Sequence, residues 1–211
     1  MKKIMFSREY GLEQSVIERI KTKTRRIANL PMIEGIDQIE YAELGTDSKG
    51  NVVAAMMGYL NTEPYRICTL MPQYQIGETL AVAQRYMDIK PRHELIMKWK
   101  GTVAELCESA GFTNKMFVSA ELMPHHVQIT DIGMEQLQDI TDEDCLKEGI
   151  MEGEFMNTWD RFYYDHWGDV PNHITFKTPR KAFASLIDKT TRTGTWQRNP
   201  WTWVYSLKLI D

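Results

Sequence analysis

Several features that would fix a protein's class on their own are scarce in this chain. It has three cysteines, Cys68, Cys107 and Cys145, far apart and odd in number, with no CxxC pair. That argues against a disulfide framework and suits reduced thiols in a cytoplasm. No run approaches the roughly 20 apolar residues of a membrane span. The N-terminus, MKKIMFSREYGLEQS, reaches Ser7 and Arg8 after only a few apolar residues, so no signal-peptide core is expected. There is no internal repeat, low-complexity tract or linker-like stretch, and a single domain over residues 1–211 is the simplest expectation. An excess of positive charge is missing too. The 25 Lys and Arg against 29 Asp and Glu leave a net charge of −4, which argues against a protein that coats nucleic acid.

What is present is an ordinary globular composition, 43% hydrophobic, enough for a core without disulfides or structural metal. The charge is unevenly spread. Residues 131–154 hold nine acids against Lys147, residues 177–198 hold six cations against Asp188, and residues 21–26 read KTKTRR. The bland reading is solvated surfaces. The sharper one is a basic face built from the two ends of the chain, a site for an anion or a nucleobase.

Apolar periodicity places a helix over 9–20, with Leu12, Val16 and Ile20 on one face. A β-hairpin is expected from 38–44 and 51–60 around GTDSKG, and a strand over 79–86. Residues 93–112 read as a helix weakened by Gly101 and capped by Gly111. KMFVSAEL and HVQITDIGMEQL read as strands around Pro124, and ITDEDCLKEGI as a short helix opened by Thr141 and stopped by Gly149, with Asp144 where a capping box has Glu or Gln. FMNTWDRFYYDHW (155–167) reads as a helix, with Trp159, Phe162 and Tyr163 packing inward. Thr178 and Pro179 open another helix, and WTWVYSLKLI closes the chain as a strand. Interspersed elements of both kinds give an α+β class.

Four blocks, KTKTRR, IGETLAV, ITDIGMEQLQDITDEDCLKEGI and AFASLIDKTTRTGTWQRNPWTWVYSLKLID, occur in an order and spacing that resembles the ASCH family of PUA-like domains, in the form carried by phages and other mobile elements. Segments near 35–70 and 88–115 are outside the resemblance and read as inserts. The resemblance implies a PUA-like small β-barrel with flanking helices, and a cleft that binds RNA or a modified nucleoside. One branch of the family is a metal-free amidohydrolase that deacetylates N4-acetylcytidine. Carried over, its Lys, Thr and Glu fall on Lys21, Thr24 and Glu148. The chain departs from the family at Arg19, where a Gly is usual, at Gly77-Glu78 for Gly-Asp, and at Gln84-Arg85-Tyr86 on the expected cleft wall.

The residues suit that chemistry in type. A threonine hydroxyl needs an adjacent base, and a lysine serves as one when burial or nearby cations lower its pKa. Strict alternation along a strand would separate Lys21 from Thr24, so a turn at 21–24 is required. Glu148 either orients Lys21 or pairs with Arg25 or Arg26. Thr22, Lys23, Arg25 and Arg26 complete the expected ligand-binding set, the arginines as phosphate forks. Three functions stay open: RNA or nucleoside binding without catalysis, amidohydrolysis of an N-acylated base, and ribonuclease action. A fourth is a partner-binding protein whose charge clusters form an interface. No cofactor is expected. His125-His126 offers a weak metal signal, since adjacent strand residues face opposite ways. His166 and His173 read as local structure, Glu143 and Asp144 as helix N-terminal acids. Trp196, Trp201, Trp203 and Tyr205 read as core before base-stacking platforms.

Overall fold

The computed structural model describes residues 1–32, 38–155, 158–164 and 175–211. It is a mixed α+β arrangement, as the interspersed patterns predict. The chain opens with β1 (Lys2–Ile4), α1 (Leu12–Ile17) and β2 (Lys23–Ile27). The expected hairpin follows as β3 (Tyr41–Thr46) and β4 (Val52–Leu60), and β5 (Glu63–Leu70) extends it to a separate three-stranded sheet. After β6 (Thr79–Val82) come three short helices, α2 (Arg92–Lys98), α3 (Val103–Glu108) and α4 (Ala110–Thr113). The remainder is β7 (His126–Gln136), α5 (Asp142–Lys147), the hairpin β8 (Met151–Phe155) and β9 (Thr158–Tyr163), then α6 (Pro179–Thr190), α7 (Thr195–Arg198) and β10 (Trp201–Leu209).

The main sheet has the order β1-β6-β7-β10-β2, with β1 parallel to β6 and every other pair antiparallel. Its two long central strands, β7 and β10, bury Val127, Ile129, Ile132, Trp203, Tyr205 and Leu207 against α6 and its neighbours. One side chain links the two edges of the sheet. Arg26 of β2 donates to the carbonyl of Met5, just beyond β1, at 2.6 Å, and its guanidinium lies 5.6 Å from the Phe6 ring centroid. The inserts keep their own character: β3–β5 form the second sheet, and α2–α4 enclose a small cluster of Tyr86, Ile89, Leu95, Leu106, Val118 and Met123.

Some expectations need correction. Residues 93–112 are not one helix. Gly101 breaks them, and Thr102 restarts the chain with a full capping box: Glu105 N–H donates to Thr102 Oγ1 at 3.2 Å and Thr102 N–H to Glu105 Oε2 at 2.6 Å. Gly111 is not a cap but a close approach, since a Cβ there would lie 2.5 Å from Tyr86 Cε2. KMFVSAEL forms two 3₁₀ turns, Lys115–Phe117 and Ala120–Leu122, because the Asn114 side chain accepts from Met116 N–H and starts a turn where a strand would extend. Within the aromatic stretch 155–167, residues 158–163 form a strand, β9, not a helix. Aromatic residues fit strands as readily, and pairing with β8 decides between the two. Residues 165–167 and His166 and His173 lie outside the described residues, as does the side chain of Trp159.

Candidate active site

Two helix ends deliver the expected residues. Helix α1 stops in a Schellman motif, in which Arg19 N–H donates to the Val16 carbonyl at 3.0 Å and Ile20 N–H to the Ser15 carbonyl at 2.9 Å. The left-handed position in that motif is Arg19 itself, at φ 64. The usual glycine is therefore absent while its conformation is kept. The chain then leaves the helix in a loop pinned on three sides: Lys21 N–H reaches the Ser15 carbonyl, Thr22 N–H reaches the Lys147 carbonyl at 2.9 Å, and the Thr22 carbonyl accepts from Leu207 N–H at 2.7 Å. That loop is the required turn. Because β2 begins only at Lys23, Lys21 is released from strand alternation, and Lys21 and Thr24 both line one cavity.

Helix α5 ends the same way, with Gly149 at φ 98 and Ile150 N–H returning to the Cys145 carbonyl. Glu148 caps it. A Cβ on Gly149 would stand 3.3 Å from Leu12 Cδ2 and 3.6 Å from Lys21 Cβ. The two helix termini thus abut, with Lys21 and Glu148 between them. At its other end α5 is capped by Thr141, whose Oγ1 accepts from Asp144 N–H at 3.1 Å. The box stays one-sided because the Asp144 carboxylate turns elsewhere, to Lys23 and Arg25.

Between strand and helix lies a buried charge network. Lys21 is 3% exposed and Glu148 is also 3% exposed. Lys21 Nζ donates to Glu148 Oε2 at 2.5 Å and to the Glu148 carbonyl at 2.8 Å. Glu148 Oε1 accepts from Arg25 Nη1 at 3.1 Å. Arg25 also forks onto Glu135, at 2.8 and 2.6 Å, and reaches Asp144 at 3.1 Å. Lys23 closes the set on Asp144 at 2.8 Å. Three cations face three carboxylates.

Burial pushes the Lys21 ammonium below the usual lysine range, and Arg26 and Arg25 push the same way, against the pull of Glu148. Arg25 goes the other way. Burial disfavours its charge, but Glu148, Glu135 and Asp144 outweigh that and raise it. Asp144 is held below the usual carboxylate range, because bonds from Lys23 and Arg25 overcome its burial.

The cavity above this network measures about 510 Å³. Its polar wall includes Lys21, Thr24, Arg25, Arg26 and Glu148, and its apolar wall includes Phe6, Phe183, Leu186 and Ile187. Thr24 is 4% exposed, and its hydroxyl has no hydrogen-bond partner among the described residues. Five of the seven expected site residues therefore meet here. Thr22 and Lys23 do not line the cavity: Thr22 serves through its backbone, and Lys23 is tied to Asp144. Asp144 is more than a helix-start acid, and Glu135, on β7, joins the site without a motif of its own. The signal for both was the acidic run opposite the basic one.

Other expectations resolve elsewhere. Glu78 pairs with Lys2 at 2.9 Å, and Gln84, Arg85 and Tyr86 lie away from this cavity. His126 Nδ1 meets Asp211 at 2.5 Å, while His125 turns to a different environment, and no group of His, Cys, Asp or Glu among the described residues is arranged to hold a metal. Trp203 and Tyr205 are core, and Trp196 packs edge-on to Phe183 under the Arg180 guanidinium. Lys189 covers the rings of Tyr10 and Tyr164, and Arg180 donates to the Gln138 and Ile140 carbonyls. Much of the C-terminal basic run is thereby engaged with its own fold. No helix among the described residues is long and apolar enough to cross a membrane. Compared with known proteins, the chain matches no family model, and neither the curated proteins nor the solved structures contain a significant match.

Proposed function

We propose that this chain is a PUA-like protein of the ASCH type whose cavity takes a nucleobase or nucleoside and hydrolyses an amide on it, with an N-acylated cytidine such as N4-acetylcytidine as the substrate to try first. The observation that carries the reading is one constellation: a buried lysine with a lowered pKa, bonded to Glu148, lining the same cavity of about 510 Å³ as the Thr24 hydroxyl, which has no hydrogen-bond partner among the described residues. That volume is in the range of small-molecule sites. The link from Arg26 of β2 to Met5, just beyond β1, suits a barrel of the PUA kind.

In the reaction, the Thr24 hydroxyl oxygen attacks the acyl carbon while neutral Lys21 takes the hydroxyl proton. The tetrahedral oxyanion forms near the Arg26 guanidinium. Collapse breaks the C–N bond, and the proton on Lys21 passes to the departing amine. Water then attacks the acyl carbon while Lys21 takes its proton, and collapse breaks the C–O bond to Thr24 as Lys21 returns that proton to the threonine oxygen and the carboxylic acid leaves. Glu148 is the positioning residue, which aims Nζ and returns the lysine to its place after each transfer.

Binding without catalysis is the second reading, favoured by the arginine-rich wall. Phosphate gripping is less suited to Arg25, whose guanidinium already meets three carboxylates. Chromatography of N4-acetylcytidine incubated with the protein separates the two. Cytidine should accumulate, and Lys21→Ala should cut the rate by about 10²–10⁴, the usual worth of a general base. Unchanged substrate at high protein concentration, together with RNA affinity that falls steeply with salt, would favour the binding module instead.

A further inference from the structure

Helix α1 has a second cavity on another of its faces. Leu12 lines the first cavity, whereas Glu13, Gln14, Ile17 and Glu18 line the second, of about 700 Å³. Opposite them stand Gln84, just past β6, and His125, just before β7. The two are neighbours because β6 and β7 pair, with Ala81 opposite His126.

The polar groups in this wall are incompletely satisfied. Glu13 is 5% exposed and Gln84 is 7% exposed. Gln84 Nε2 donates to Glu13 Oε1 at 3.4 Å, which fixes the amide's orientation, since the reverse would set its oxygen against a carboxylate. Gln84 Oε1 then has no partner among the described residues, and neither does His125 Nδ1. A buried polar group is costly to leave unbonded. Both belong to the same cavity. Both residues line it, and a small turn of either side chain about its soft last torsion, short of reversing the amide against Glu13, presents these atoms to the space.

The charges around the cavity decide the ligand class. Arg8 pairs with Asp88 at 3.2 Å, and Arg92 donates to the Met87 carbonyl at 2.8 Å. Arg8, Lys90 and Arg92 are matched by Glu13, Glu18 and Asp88, so the wall has no net charge to offer an ion. Burial also keeps the His125 imidazole below its ordinary pKa, hence neutral at pH 7. A neutral imidazole presents an acceptor nitrogen or an N–H, according to tautomer.

We infer that this cavity is a second small-molecule site, which takes a neutral planar ligand whose edge sets an N–H donor beside a ring nitrogen, as an aminopyrimidine does. The donor satisfies Gln84 Oε1, and the ring nitrogen or a second N–H satisfies His125 Nδ1. The site also touches the first one. Glu13, in its wall, holds Lys115 Nζ at 3.1 Å, and Lys115 lines the first cavity. A ligand that draws on Glu13 therefore loosens a residue of the other site.

The test titrates the full chain with 2-aminopyrimidine and, separately, with pyrimidine, which lacks the amino donor, and follows the ¹⁵N resonances of labelled histidine. The expected result is saturable binding of 2-aminopyrimidine with a shift of the His125 signal, at least tenfold weaker binding of pyrimidine, and a similar tenfold loss in Gln84→Met. Should that variant fail to fold, the wild-type comparison of the two compounds and the His125 shift still decide. Equal binding of both compounds, an unmoved His125 signal, or no binding up to the solubility limit would overturn the assignment.

Discussion

Lys21 is a cation with almost no access to water, and that makes its protonation the most sensitive variable in the site. Its pKa lies below the ordinary value of about 10.4, chiefly through burial. For a base depressed in the folded state, the unfolded chain binds more protons between the two pKa values. Stability from this group therefore rises with pH across that window and levels off above the unfolded value. Activity should follow the same group: the rate should climb with pH along a limb whose midpoint is below that of a free lysine, and the limb should disappear in Lys21→Ala. Glu148 pulls the Lys21 pKa upward, so Glu148→Gln should move the limb to lower pH while it reduces kcat. A pH–rate series on the two variants checks both signs. The grouping of Lys21, Thr24 and Glu148 was suggested in the sequence only by a family resemblance. Residue types alone left their meeting undetermined, because the bond from Lys21 to Glu148 spans 127 positions of sequence.

At the scale of elements, two helix terminations in left-handed residues hold the site, one by glycine and one by arginine. For a residue with a Cβ, the left-handed conformation costs about 1–2 kcal/mol, part of which glycine gives back as unfolded-chain entropy. Arg19→Gly should therefore raise the melting temperature modestly, by about 1 kcal/mol or less of added stability. Gly149→Ala should do the opposite and more strongly, by about 1–2 kcal/mol, since φ 98 and the Leu12 and Lys21 contacts leave no comfortable Cβ position. Thermal unfolding of the pair tests this contrast, with Gly149→Ala also losing activity. Gly149 as a helix stop was legible in the sequence, as were Thr141 and Thr178 as caps, because each acts on its own neighbours. The strand at 158–163 was not. Its aromatic spacing fits either period, and the decision comes from β8, the strand it pairs with.

For the whole molecule, the charge distribution has a different meaning from the one each run suggests alone. The acidic stretch 131–154 and the basic stretch 21–26 are partners: Glu135, Asp144 and Glu148 receive Lys21, Lys23 and Arg25. The class and the order of elements could be read along the chain, but this pairing depends on β2 and α5 coming together in space. Breaking it is costly. Arg25→Ala leaves Glu148 and Glu135 without a shared partner and should lower stability by about 3–5 kcal/mol in chemical denaturation. Because the cations are engaged internally, a neutral nucleoside should be turned over with little dependence on ionic strength, whereas capture through six to ten phosphates would lose about 10³–10⁵ in affinity between 50 and 200 mM salt. The most direct single measurement is acetate release from N4-acetylcytidine with the protein in excess, run on the wild type and on Lys21→Ala. The expected result is stoichiometric release by the wild type and none above background by the variant. No release by the wild type, or equal release by both, would contradict it.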